Sequence, residues 1–227
     1  MTIRENVLRV REAVAAVTDR PVLLVAATKM NAADRVREAV AAGVDACGEN
    51  RVQELLEKDA LGAYAGAPLH FIGHLQTNKV NKLVGRVDLI QSVDSAELVR
   101  LIGRRAAALG LTQDVLLEIS IAGEAQKSGA APEMLGELLA LAGETAGIRV
   151  RGLMCVPPIS EKIGGNQRYF VKMRQLFIDN SEKKYDNVSM DFLSMGMSDD
   201  YTEAVAEGAN VIRVGSAIFG ARDYGRG

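Results

Sequence analysis

The run Val22-Leu23-Leu24-Val25-Ala26-Ala27-Thr28-Lys29 holds seven uncharged residues and closes on a lysine. Its apolar part does not alternate, which is the pattern of a strand buried on both faces, as in parallel sheets. Upstream, Ile3, Val7, Val10, Val14 and Val17 recur at spacings of four and three, so they line one face of a helix. Thr2 is its expected N-cap, Glu5 the capping-box partner, and Pro21 the expected stop. Downstream the strand pattern returns near 44–47, 69–72, 87–93, 115–120, 150–156, 189–195 and 211–214. Helical stretches near 32–42, 51–58, 77–84, 96–109, 132–145, 166–181 and 199–207 separate these runs, with Asp94 or Ser95 as a cap. Eight such units after a leading helix predict an α/β protein, a single (β/α)8 TIM barrel with an extra N-terminal helix, over residues 1–227. An open doubly wound sheet is the runner-up. It would carry a Gly-rich turn after its first strand, where this chain has Ala27-Thr28-Lys29.

Composition agrees with a soluble globular chain: 48% hydrophobic, 25% charged, 4% aromatic and a net charge of −2. Without a basic excess, no nucleic-acid partner is expected. The charged N-terminus has no apolar core for a signal peptide, and no run is long enough for a membrane helix, so no membrane partner is expected either. Cys47 and Cys155 sit in apolar stretches and are read as buried thiols in a reducing cytoplasm. From 160 to 190 the chain turns from Ala- and Arg-rich to Lys-, Asn-, Asp- and Ser-rich, but the alternation continues through it.

In a barrel the chemistry belongs at the C-terminal strand ends. The polar residues there are Lys29, Asn50, His74, Ser92 to Asp94, Ser120, the pair Met154 and Cys155, Met195 to Ser198, and Arg213 with Gly215 and Ser216. Lys29 is either an amine activated by desolvation or a solvated loop residue. Ser198, Gly215 and Ser216 lie where barrels hold a phosphate, with ordinary helix capping by Ser198 as the alternative. Asp199 and Asp200 would repel an anion and must then point away. Arg213, inside an apolar strand, needs a carboxylate partner or a ligand. His70 and His74 have no further ligand nearby, and no metal is expected. Lys79, Lys82 and Arg86 read as a solvated helix face.

The chain resembles a known family. The blocks that carry the likeness are Val25-Ala26-Ala27-Thr28-Lys29, Gly48-Glu49-Asn50-Arg51-Val52-Gln53-Glu54, His70-Phe71-Ile72-Gly73-His74-Leu75-Gln76-Thr77-Asn78-Lys79 and Arg151-Gly152-Leu153-Met154. Leu193-Ser194-Met195-Gly196-Met197-Ser198 and Arg213-Val214-Gly215-Ser216-Ala217-Ile218-Phe219-Gly220 complete it. From about Ile3 to Arg222 these blocks are similar to the pyridoxal phosphate homeostasis protein family, whose barrel is like the N-terminal domain of alanine racemase. The resemblance implies pyridoxal 5'-phosphate (PLP) as cofactor, held as a Schiff base on Lys29. It implies that Ser198, Gly215 and Ser216 hold the phosphate, that Arg213 faces the pyridine nitrogen, and that Asn50, His74 and Met154 line the pocket. It further implies a cytoplasmic, non-catalytic role in PLP buffering and delivery, affecting amino-acid and keto-acid balance. Apoenzymes that use PLP are then the expected partners, and a monomer the expected state.

Two other readings stand beside it. A weak alanine-racemase-type enzyme would use Lys29 as one base, but its second acid/base is expected from a C-terminal domain, and the chain ends seven residues after Gly220. None of Tyr64, Tyr169, Tyr185, Tyr201 and Tyr224 follows a strand end. A barrel enzyme acting on a sugar phosphate would place its lysine on a later strand. The loop 156–169, with Gly164-Gly165-Asn166, matches no family block, and the sequence leaves open whether it is a lid.

Overall fold

Every apolar run becomes a strand, and the strands close on themselves. In the computed structural model, which describes residues 1–123, 128–160, 162, 164–182 and 185–220, helix α1 (Ile3–Ala15) precedes β1 (Leu23–Ala27). Then come α2 (Ala33–Ala41), β2 (Ala46–Glu49), α3 (Val52–Ala60), β3 (Leu69–Phe71), α4 (Val80–Leu83), β4 (Leu89–Val93) and α5 (Ala96–Ala108). The second half runs β5 (Gln113–Glu118), α6 (Leu135–Glu144), β6 (Ile148–Met154), α7 (Gln167–Ser181), β7 (Val188–Ser194), α8 (Tyr201–Ala206), β8 (Val211–Val214) and α9 (Ser216–Phe219). The order around the barrel is β1 to β8 without a crossover, and β8 closes on β1 in parallel, Val25 beside Arg213 and Ala26 beside Val214.

Local signals explain most of the boundaries. Thr2 and Glu5 form the full capping box of α1, and Ser95, not Asp94, caps α5 by accepting from the Leu98 N–H. Helix α1 stops at Ala15, well before Pro21, and the next apolar residue of the stripe, Val17, is exposed. The terminal helix α9 was not legible in the apolar pattern. The loop 122–130 includes residues 124–127, and the loop 156–169 includes 161 and 163, all outside the described residues, as are 221–227 with Arg222 and Tyr224.

Strand alternation sorts side chains into two cores. Outward-facing residues such as Ala26, Cys47, Val115 and Ile212 join the helices in one large apolar layer. Inside the barrel the apolar filling is small: Val25, Ala46 and Val211 in one group, and Leu89, Leu116 and Met154 in another, both touching Phe192. One step further toward the C-terminal strand ends, the same inward alternation brings His70, Gln91, Glu118, Ser194 and Arg213, all buried. The barrel is therefore apolar at its floor and polar beneath its mouth.

Candidate functional site

Arg213 is enclosed in the barrel. Its Nη1 donates to Ser194 Oγ at 2.6 Å and its Nη2 to the Cys155 carbonyl at 2.8 Å. Of the two possibilities read in the sequence, a carboxylate partner is not what the hydrogen bonds supply: both partners among the described residues are neutral. Burial lowers the guanidinium pKa, and the nearby Cys155, Glu118 and Asp200 work against that. The bonding continues across the barrel. The Ser194 hydroxyl donates to Gln91 Oε1 at 2.7 Å, and Gln91 Nε2 donates to His70 Nδ1 at 3.0 Å. Burial pushes His70 down to about 4, with Asp88 opposing, so the ring is neutral and its Nδ1 is free to accept. Among the described residues no group of His, Cys, Asp and Glu has the composition of a metal site.

Glu118 ends β5 next to Met154, which lies next to Ser194. Burial, then the neighbouring Asp94, raise its carboxyl to about 7 against the pull of Arg213. Burial also pushes both thiols, Cys47 and Cys155, up to about 12, so they are inert filling of the core.

Beside Arg213, β8 ends in Gly215. The Ser198 hydroxyl accepts from the Gly215 N–H at 3.1 Å and from the Ala217 N–H at 3.3 Å. Ser198 thus does not cap α8, which was the alternative reading. Helix α8 begins after Asp200, whose carboxylate accepts instead from the Met197 N–H and the Asn166 amide, both at 2.7 Å. Asp200 is thereby turned toward its own loop and away from the Gly215 amide. A Cβ built on Gly215 would stand 3.5 Å from the Ala27 Cβ, in the space between the ends of β1 and β8. Ser216 is exposed at that rim, and half-buried Lys29 lies two residues beyond Ala27.

Asn50 and His74 end up together on the neighbouring side of the mouth. They line a cleft of about 330 Å³ with Arg51, Gln53, Lys79 and Lys82, so the two lysines read as a solvated face border a concavity. His74 is exposed, and the buried Oδ1 of Asn50 has no hydrogen-bond partner among the described residues. The two loops touch because Gly73 has no side chain: a Cβ there would fall 2.1 Å from the Asn50 carbonyl oxygen. Loop 156–169 contributes Pro158, Ile159, Ser160 and Lys162 to a separate cleft of about 240 Å³ against Met197, Asp199 and Glu203. Ser194, Gln91, His70 and Glu118 are polar residues of the site that strand-end reasoning passed over. The usable signal was their polarity at inward positions of otherwise apolar strands.

Residues 1–223 match the family model of the alanine racemase N-terminal domain. A pyridoxal phosphate homeostasis protein of Aquifex aeolicus is 42% identical over 88% of this chain and 87% of its own length. One from Escherichia coli K12 is 37% identical over 99% of this chain and 98% of its own. Among solved structures, PipY of Synechococcus elongatus PCC7942 with PLP bound superposes with a TM-score of 0.85 at 34% identity, covering 96% of this chain and 100% of PipY. Alanine racemase of Clostridium difficile 630 gives 0.75 at 15% identity over 97% of this chain and 57% of the racemase, a likeness of fold alone.

Proposed function

The chain belongs to the alanine racemase N-terminal domain family, among the pyridoxal phosphate homeostasis proteins, and from that premise we propose that it binds PLP at the mouth between β1 and β8. The observation that carries this is the convergence of the Gly215 and Ala217 N–H groups on one oxygen, beside Ala27 and above the neutrally partnered Arg213. A phosphate oxygen at that point would take the two amides over from the Ser198 hydroxyl, and the Ser198 and Ser216 hydroxyls would complete the donor set. The space that a Gly215 side chain would fill is where the phosphate approaches. Lys29 supplies the amine, because the alternation that sends Thr28 outward assigns the next residue to the mouth. Asn50 and His74 line the adjoining cleft, and Met154 is buried inside the barrel between Glu118 and Ser194. Bound PLP would supply an aldehyde that condenses with an amine and releases water, which is the Schiff base read for Lys29.

Arg213 argues against transamination-type turnover. A guanidinium donates and does not accept. Facing a pyridine nitrogen, it keeps that nitrogen unprotonated and leaves the ring a poor electron sink. The protein in this reading is a cytoplasmic monomer, one PLP-binding domain over residues 1–227, that buffers PLP and passes it to apoenzymes. The two inert free thiols support a reducing compartment. Titration of the purified protein with PLP should give a yellow species at one equivalent and no racemization of free amino acids. A protein that takes up no PLP refutes the site. Rapid racemization refutes the non-catalytic role.

A further inference from the structure

The motif Gly48-Glu49-Asn50-Arg51-Val52-Gln53-Glu54 carries two carboxylates that the PLP site does not use, and Lys58 lies one helical turn beyond the second. We infer that Glu49, Glu54 and Lys58 are positioning residues that clamp the Thr28–Lys29–Met30 turn and so set the fraction of bound PLP attached to Lys29. The inference rests on the Lys29 attachment proposed above.

Strand alternation points Glu49 outward from β2, under α3, where it is fully buried. Lys58, from α3, meets it with Nζ 2.7 Å from Glu49 Oε2 and 3.2 Å from Glu54 Oε2. The same Nζ donates to the Thr28 carbonyl at 2.8 Å. The Thr28 hydroxyl donates to Glu49 Oε2 at 3.0 Å. On the other side of Lys29, the Met30 N–H donates to Glu54 Oε2 at 2.8 Å. The backbone is therefore gripped immediately before and immediately after Lys29, by groups that meet in one ammonium.

The grip has something to hold. Met30 has φ +60°, the left-handed region that a residue with a Cβ adopts at a cost, and it is the one such non-glycine residue among those described. A strained backbone of this kind persists where its surroundings over-determine it, and it collects at functional sites. A turn held off its relaxed conformation fixes where the Lys29 stem leaves the barrel wall. Released, the same turn would let the amine sample positions away from the cradle, and attachment would become less favourable while the phosphate and ring contacts stayed as they are.

Glu54 is the residue to alter, since it stands partly exposed at the edge of the cluster. Full-length wild type, Glu54→Ala and Glu54→Gln are equilibrated with PLP and reduced with borohydride, and the fraction labelled at Lys29 is read by peptide mass spectrometry. PLP affinity is read for the same substitutions in a Lys29→Ala background. Glu54→Ala should lower the trapped fraction at Lys29 threefold or more, and Glu54→Gln, which keeps an acceptor for the Met30 N–H, should restore most of it. In the Lys29→Ala background both should change affinity less than twofold. Equal trapping in all three proteins, or an equal loss in the Lys29→Ala background, overturns the clamp and leaves the cluster a brace of the fold. Absence of label on Lys29 in the wild type removes the attachment itself, and the clamp with it.

Discussion

Two polar networks meet at the mouth of this barrel, and they are built in opposite ways. Outside the wall, under α3, the Lys58 ammonium is surrounded by two carboxylates. Inside, the Arg213 guanidinium has a hydroxyl and a carbonyl, then Gln91 and neutral His70. The first network pairs its ammonium within the cluster and offers no cation to a ligand, so its contribution is mechanical. The second keeps a cation buried beneath an open mouth, which is costly unless something completes it. The fold thus separates holding the backbone from holding a ligand.

Breaking the outer network should have the largest effect on stability. Lys58→Met strands Glu49 as a buried charge, and about 3–5 kcal/mol should be lost in denaturant unfolding. A change within about 1 kcal/mol would mean that the network is not the brace described. The inner network should respond in binding. Arg213→Ala should weaken PLP by about ten- to a hundredfold, the worth of about 1.5–3 kcal/mol for a hydrogen bond to a charged group. It should leave a cooperatively folded protein. Unchanged affinity would separate Arg213 from the ligand.

Two inner residues titrate in opposition, which sharpens the contrast further. Glu118, raised to about 7, contributes stability at low pH that is lost as pH rises from about 4.5 through 7. His70, lowered to about 4, contributes stability above about 6.5 that is lost as pH falls toward 4. Between about 4.5 and 6.5 the two slopes offset each other. Glu118→Gln should uncover the His70 slope, so that stability relative to wild type climbs by about 1.4 kcal/mol per pH unit in that window. Parallel stability curves for the two proteins would refute the opposition. The smallest effect is expected from Gln91→Leu, which leaves His70 Nδ1 without its donor and should cost about 1–3 kcal/mol. Thermal unfolding measures it, and no loss would mean that the relay carries no energy.

The sequence disclosed the barrel better than it disclosed these networks. Apolar runs such as Val22–Ala27 and Val115–Leu117 mark strands buried on both faces, and eight such stretches leave few alternatives. Their ends drifted: β2 runs Ala46–Glu49 where the apolar signal lay at 44–47, and β5 begins at Gln113. An apolar run reports burial, whereas the hydrogen-bond ladder fixes the strand. Lys29, Arg213 and Gly215 were legible because a polar group closing or interrupting an apolar strand is conspicuous. Ser198 was read as a phosphate ligand with helix capping as the alternative, and the structure gives its oxygen to Gly215 and Ala217, a contact no local pattern encodes. Lys58 resembled any solvated helix lysine, and its burial follows from Glu49 on another element. Ser194 and Gln91 are 103 residues apart, so their bond exists only after the barrel closes.

The attachment point of PLP is the most direct test of the whole account. The wild-type protein, loaded with one equivalent of PLP, is reduced with borohydride and mapped peptide by peptide. The label should lie on Lys29, and borohydride should fix no label in Lys29→Ala. A label confined to other lysines, such as Lys79 or Lys82 at the adjoining cleft, with Lys29 unmodified, would contradict it.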